Sequence, residues 1–144
     1  MNLVLFEKSR TWADAIKLHT QDIDLHFSEC RSLDQCQAEI AQCSQSLVLL
    51  AIGVDDSAEK VIAVLELAAK LAVSQLDVSV VLLLPREHND WVSTAWETGA
   101  NYVQQGQRDL SGLMGVIRLF QTKTNQTETQ PADLKQSILQ KLPW

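Results

Sequence analysis

The stretch Ser46-Leu-Val-Leu-Leu-Ala-Ile52 decides the fold. After its first residue it is continuously aliphatic. Gly53 stops it, and the acidic pair Asp55 and Asp56 follows. A strand with one wet face alternates polar and apolar residues. An unbroken apolar run instead suits a strand covered on both faces, the centre of a parallel sheet. Val78 to Leu84, interrupted only by Ser79, is a second run of this kind. Pro85 ends it, because proline cannot donate to a ladder.

Outward from these two runs the chain alternates strand and helix. Leu3 to Phe6 reads as the first strand, ended by Glu7-Lys8-Ser9-Arg10. Thr11 is placed to cap a helix that carries Trp12, Ala15 and Ile16 on one face, with Leu18. Asp22 to Phe27 alternates, with Ile23, Leu25 and Phe27 on one side and Asp22, Asp24 and His26 on the other, as in a half-exposed edge strand. Ser32 with Gln35 three residues on is a capping box for a helix to about Gln42, striped by Leu33, Cys36, Ile40 and Cys43. Ser57 or Asp56 caps the longest helix, Ala58 to about Gln75, with a broad stripe of Val61, Ile62, Val64, Leu65, Ala68, Leu71 and Ala72.

After Pro85, a helix from about His88 to Thr98 carries Trp91, Val92, Ala95 and Trp96, with Gly99 as its C-terminal cap. Asn101 to Gln104 is a short fifth strand. Leu110 to Gln121 is a last helix, in which Gly112 and Gly115 either weaken the helix or permit close packing. Five strand–helix repeats build an open parallel sheet with helices on both faces, a three-layer α/β sandwich. The most economical strand order is 2-1-3-4-5, which puts the apolar runs inside and the alternating strand at an edge. Residues 1–121 then form one domain. Residues 122–130 are polar and read as a flexible linker. Residues 131–144 read as a short amphipathic helix or tail striped by Leu134, Ile138, Leu142 and Trp144, to dock on this domain or on a partner.

The bulk composition narrows the function. The chain has 144 residues, enough for one domain with a real core without disulfides or metal. Its net charge of -6 and the lack of any Lys/Arg cluster in the sequence argue against nucleic acid or an anionic membrane as partner. No stretch reaches the roughly 18 apolar residues of a membrane-spanning helix. Cys30, Cys36 and Cys43 are odd in number and no basic leader precedes the first strand, which leads us to expect a reduced, cytoplasmic chain.

Two segments, Leu47-Val-Leu-Leu-Ala-Ile-Gly53 and Gly99-Ala-Asn-Tyr-Val-Gln-Gln105, occur in the order and spacing of the receiver domains of bacterial response regulators, a flavodoxin-like fold. The chain resembles that family over about residues 2–121. The first segment is similar to the third strand that ends in the family's phosphoacceptor aspartate. The second is similar to its Gly-Ala-Asp-Tyr-type segment with a following lysine. Carried over by position, the resemblance implies a degenerate site. The phosphoacceptor matches Ala51, the magnesium-binding acidic pair matches Phe6 and Glu7, the hydroxyl position matches Leu84, and the lysine matches Gln105. A methyl group cannot take a phosphoryl group, and Glu7 alone does not supply the several oxygen ligands magnesium needs. The resemblance therefore implies a pseudo-receiver, a non-enzymatic signalling or scaffolding domain that needs no cofactor and works through a protein partner, a second copy of itself among the candidates.

Other chemistry finds little support. No glycine-rich phosphate loop is present. Lys8, Ser9 and Thr11, with Asp55 across the sheet end, form a possible anion or ligand loop, which keeps open a small-molecule- or anion-binding domain as an alternative. Asp55 or Asp56 as a displaced phosphoacceptor is a third possibility, set against ordinary helix capping. The cysteines and the histidines, His19, His26 and His88, lack ligand spacing. Trp91 and Trp96, five residues apart, cannot both face the core. Either Trp91 with Ala95 or Trp96 with Val92 points inward, and the other tryptophan is available for contact. In receivers the fourth helix, fifth strand and fifth helix form the usual dimerisation face, so Trp91, Trp96, Tyr102 and the tail residue Trp144 are the candidate interaction residues.

Overall fold

The computed structural model describes residues 2–43, 45–74 and 77–128. It holds five strands, β1 (Asn2–Phe6), β2 (His26–Cys30), β3 (Ser46–Ala51), β4 (Val78–Leu84) and β5 (Tyr102–Gln105). Between and after them run α1 (Thr11–His19), α2 (Leu33–Ala41), α3 (Ala58–Ser74), α4 (Val92–Glu97) and α5 (Ser111–Glu128). All strands are parallel in the order β2-β1-β3-β4-β5. The two apolar runs, β3 and β4, lie inside the sheet beside the third interior strand, β1, and pair with each other from Ser46–Val78 to Ala51–Leu83.

The two sides of these strands make two cores. Val4, Phe6, Val48, Leu50, Ile52, Leu82 and Leu84 pack with Cys36 and Ile40 of α2, Val61, Val64 and Ala68 of α3, and Ala95 of α4. Leu3, Leu5, Leu47, Leu49, Ala51 and Leu83 pack with Trp12 and Ile16 of α1 and Leu113, Ile117 and Phe120 of α5. Each interior strand residue thus meets a helix whichever way it points, which is why these strands show no polar alternation.

Several expectations shift. The edge strand begins four residues later than the alternation suggests, at His26. Ile23 is buried before it begins, and Leu25 and Phe27 remain on the α1–α5 side. Ladder pairing with β1, from Asn2–His26 to Phe6–Cys30, sets the strand rather than side-chain alternation. In α1, Ala13 is fully buried and Leu18 is 65% exposed, so the buried stripe runs through Trp12, Ala13 and Ile16. Thr11 is the first residue of α1 and not its cap. The Ser32–Gln35 capping box is present, with the Gln35 amide donating to Ser32 Oγ at 3.1 Å. The helix expected from His88 opens instead as a 3-10 turn, Arg86–Trp91, interrupted at His88, and α4 is only six residues long. Gly99 has φ of 88° and ends α4 as the sequence suggested.

The last helix runs to Glu128, seven residues beyond the Gln121 that composition suggested, so residues 122–128 are helical and not linker. The rest of the expected linker and the tail with Trp144 lie outside the described residues. Among the described residues no helix is long and apolar enough to cross a membrane.

Candidate functional site

A cavity of about 590 Å³ opens at the carboxyl ends of β1, β3 and β4, where open parallel sheets place their ligand sites. The loop after β1 contributes Glu7, Lys8, Ser9 and Thr11, and the tip of β3 with its loop contributes Ala51, Gly53, Asp55 and Asp56. Pro85, Arg86 and Glu87 close it from the β4 side and Gly106 and Gln107 from the β5 side. The fold therefore gathers Glu7, Ala51 and all four residues of the candidate ligand loop. Leu84 and Gln105 do not line it.

Ala51 is the last residue of β3 and is 7% exposed, its methyl in the α1–α5 core. Glu7 is buried, with one oxygen accepting the Trp12 amide at 2.8 Å and the other the Ala13 amide at 3.1 Å. It supplies the N-terminal cap that Thr11 does not, from outside the helix. Burial pushes its carboxyl above the ordinary value of 4.5, against the opposing pull of the two amides and of the Arg31 charge. A carboxylate with both oxygens so occupied is poorly placed to hold a cation. Among the described residues no group of three or more His, Cys, Asp or Glu side chains is arranged to hold a metal ion. The donor set does not fit the magnesium site of the receiver family.

Each acidic residue after β3 has its own role. Asp56 closes the turn, its Oδ2 accepting the Gly53 amide at 2.8 Å, and its Oδ1 receives Lys8 Nζ at 3.5 Å. Ser57 caps α3, its Oγ accepting the Lys60 amide at 3.4 Å. Asp55 is exposed at the cavity wall. Ser9 and Thr11 bond each other through their hydroxyls at 3.1 Å.

The contacts that join the rim loops are not visible as motifs. His88 Nε2 bonds the Gly53 carbonyl at 3.0 Å and ties the loop after β4 to the loop after β3. Gln105, which the resemblance matches to the lysine, does not line the cavity and donates to Asn89 Oδ1 at 3.1 Å and to the Arg86 carbonyl at 3.5 Å. Buried Gln104 donates to the carbonyls of Gly106 and Asp109 at 3.0 and 2.8 Å and holds the loop after β5. Gly106 has φ of 73°, and a Cβ there would lie 2.8 Å from Arg86 Cγ, so both conformation and space require glycine. The signal for Arg86 was its place directly after the strand-ending Pro85.

The candidate interaction residues separate clearly. Trp91 packs against the core beside buried Ala95, and Trp96 is 48% exposed. Trp96 meets Tyr102 edge to face, with centroids 6.2 Å apart and planes at 86°. The end of the Tyr102 side chain lies over Gly112 of α5, where a Cβ would overlap its hydroxyl. Helix α4, strand β5 and helix α5 are thus joined by one aromatic contact on their outer face.

No family model matches this chain, and no curated protein matches it in sequence. Solved structures match its fold. A CheY-like protein, tadZ, from Pseudomonas aeruginosa has a TM-score of 0.66 at 18% identity, over 83% of this chain and 98% of that one. The signal receiver domain of a Vibrio parahaemolyticus protein gives 0.66 at 15%, over 89% and 95%. The response regulator TrrA from Thermotoga maritima, solved with magnesium and BeF, gives 0.64 at 13%, over 83% and 97%. The chain has a receiver-like, flavodoxin-type fold.

Proposed function

We propose that this chain is a receiver-like signalling or scaffolding domain that has lost phosphotransfer and acts by binding protein, including a second copy of itself. One observation carries the reading: a methyl, Ala51, closes β3 where the resemblance places the phosphoacceptor. The occupied Glu7 carboxylate and the Gln105 amide, bonded to Asn89, support the same reading. Output then runs through the α4–β5–α5 face, where half-exposed Trp96, braced by Tyr102, is a rigid aromatic anchor of the kind that dominates protein interfaces. Free cysteines at 30, 36 and 43 agree with a reducing, cytoplasmic setting.

Two measurements test this. Intact mass after incubation with a small-molecule phosphodonor and magnesium is expected to show no added phosphoryl group; stoichiometric addition at any residue, Asp55 included, overturns the reading. Light scattering is expected to show a dimer that Trp96→Ala dissociates while the far-UV circular dichroism is kept. A wild type that stays monomeric at high micromolar concentration removes self-association.

A second reading has the 590 Å³ cavity in its favour, since Lys8, Ser9, Thr11 and Asp55 all line it. In that reading a small polar ligand binds at the strand ends, and a ligand copurifying with the protein distinguishes it.

A further inference from the structure

The sequence shows no run of basic residues, yet the fold assembles cations from three separate segments at one cleft. The cleft measures about 310 Å³, lies between the starts of α2 and α3, and adjoins the larger cavity, with which it shares Lys8 and Asp56. Lys8, Arg31 and Lys60 line it, with Asp34 and Asp56 as the acidic members. Its apolar lining comes from Phe6, Leu33, Ala63 and Val64.

The three cations are not equally neutralised. Lys8 reaches Asp56 at 3.5 Å, and that carboxylate also holds the Gly53 amide. The Lys60 ammonium neighbours that of Lys8, which opposes its protonation and lowers its pKa. Arg31 is fixed by neutral groups: its guanidinium donates to the carbonyls of Glu7 and Ser9 at 2.8 and 3.1 Å. The carboxylate it reaches, Glu29 at 3.4 Å, is shared with Lys17 at 2.6 Å and Arg10 at 3.8 Å, and the buried Glu7 carboxyl also feels its charge. Arg31 is thus a cation held in place at the cleft edge. At the start of α2, Ser32 Oγ takes the Gln35 amide, so the Leu33 and Asp34 amides have no intrahelical acceptor.

We propose that this cleft binds an acidic segment of a partner protein. Partner carboxylates pair with Lys8, Lys60 and Arg31, and one aliphatic or aromatic partner side chain sits against the half-buried Leu33 and Ala63. A free inorganic anion would leave the apolar lining unused. A nucleic acid would need a longer cationic track than three side chains, on a protein of net charge -6. A carboxylate-bearing peptide with one apolar anchor uses both halves of the cleft. This extends the protein-binding reading to a second face, remote in sequence from Trp96, and the two faces are separable by mutation.

The test is amide chemical-shift mapping on the isotope-labelled full chain. The probes are a set of ten-residue Asp/Glu peptides with one central Leu or Phe, a matched peptide without the apolar residue, inorganic phosphate and a short single-stranded oligonucleotide. The anchored acidic peptides are expected to move the amides of Lys8, Leu33, Asp34 and Lys60 to Val64. Affinity is expected to fall with added salt, and to fall about tenfold or more when the apolar residue is removed. Lys60→Glu, at an exposed position, is expected to abolish the shifts while the rest of the spectrum is unchanged; Trp96→Ala is expected to leave them intact. No shifts at millimolar peptide, shifts confined to the α4–β5–α5 face, or an equal response to phosphate or oligonucleotide at the same amides each overturns the proposal. Loss of dimerisation in Trp96→Ala with peptide binding retained, or the reverse, shows which of the two faces fails.

Discussion

Glu7 holds the amide of Trp12, five residues later in the chain, at 2.8 Å, so the residue directly after β1 also caps the start of α1. Its second oxygen takes the Ala13 amide. Replacement by Leu removes both acceptors from buried donors, and each buried donor left unpaired costs about 1–3 kcal/mol. Glu7→Leu is therefore expected to lower the urea midpoint clearly. A change indistinguishable from zero would show that water replaces the cap. The pH dependence has a definite sign. The folded pKa lies above the ordinary 4.5 because of burial, so between the two values the folded state binds more protons than the unfolded state. The associated stability is fully present below pH 4.5 and is lost as pH rises through the folded value. The stability of wild type minus that of Glu7→Gln is expected to fall on going from pH 4 to pH 7. A rising difference would mean that the amides and Arg31 outweigh burial.

The neighbouring prediction concerns Ala51. Installing the missing carboxylate as Ala51→Asp does not rebuild a phosphoryl site, because Glu7 is committed to α1 and Gln105 bonds the Asn89 loop. Ala51 is also nearly buried among apolar side chains, so a new carboxyl there costs about 1–3 kcal/mol without a partner. Ala51→Asp is expected to be less stable in urea and to gain no phosphoryl mass from a small phosphodonor with magnesium. Uptake of one phosphoryl group at position 51 would show that the remaining groups suffice.

The contrast between these positions and the fold explains what was legible in the sequence. The sheet was legible because β3 and β4 are buried on both faces, and that alone forces an uninterrupted aliphatic pattern. Ser32–Gln35 and Gly99 were legible because their work is local, within three residues or one φ angle. The cap on α1 was not, because Glu7 reaches it across a loop and no spacing rule covers that contact. The β2 boundary was missed because the Asp22–Phe27 alternation is real as a facing preference, while strand pairing with β1 determines where the ladder starts. In the site, Ala51 and Glu7 could be placed only through the resemblance to receiver domains. Gln104 acts on the irregular loop directly after its own strand, for which no spacing rule exists. His88 and Arg86 act through contacts with loops distant in sequence, which appear only when the strand ends are brought together. The same holds for Lys8, Arg31 and Lys60.

Two glycines of α5, three residues apart, are expected to respond oppositely to alanine. Gly115 has open space where a Cβ would go, so Gly115→Ala adds helix propensity alone and stabilises by about 0.5–1 kcal/mol. At Gly112 the same propensity gain is offset by overlap with Tyr102, whose ring carbon Cζ lies 2.9 Å from the Cβ position. Overpacking of this kind costs about 1–3 kcal/mol, so Gly112→Ala is expected to be neutral or destabilising. Because Tyr102 also contacts Trp96, only Gly112→Ala is expected to shift tryptophan fluorescence. Equal stabilisation by both substitutions would mean that Tyr102 moves aside freely and does not brace Trp96.

The three cysteines give a chemical test of the core between α2 and the sheet. Cys30 and Cys36 are fully buried and neighbour each other, and burial pushes both thiols up, Cys36 to about 12. The thiolate is the nucleophile, so at pH 8 Cys36 presents only about one reactive form in ten thousand, behind a packed wall. Cys43, just beyond α2, is half-buried. Iodoacetamide at pH 8 is therefore expected to modify the native chain once, at Cys43, and the urea-unfolded chain three times, read by peptide mass. Labelling of Cys30 or Cys36 must then proceed through opening of α2 from the sheet, and its rate reports that opening. Native labelling of Cys36 as fast as Cys43 would show that α2 is not closed over β1 and β2, and that the cleft at its N-terminus is not a fixed surface.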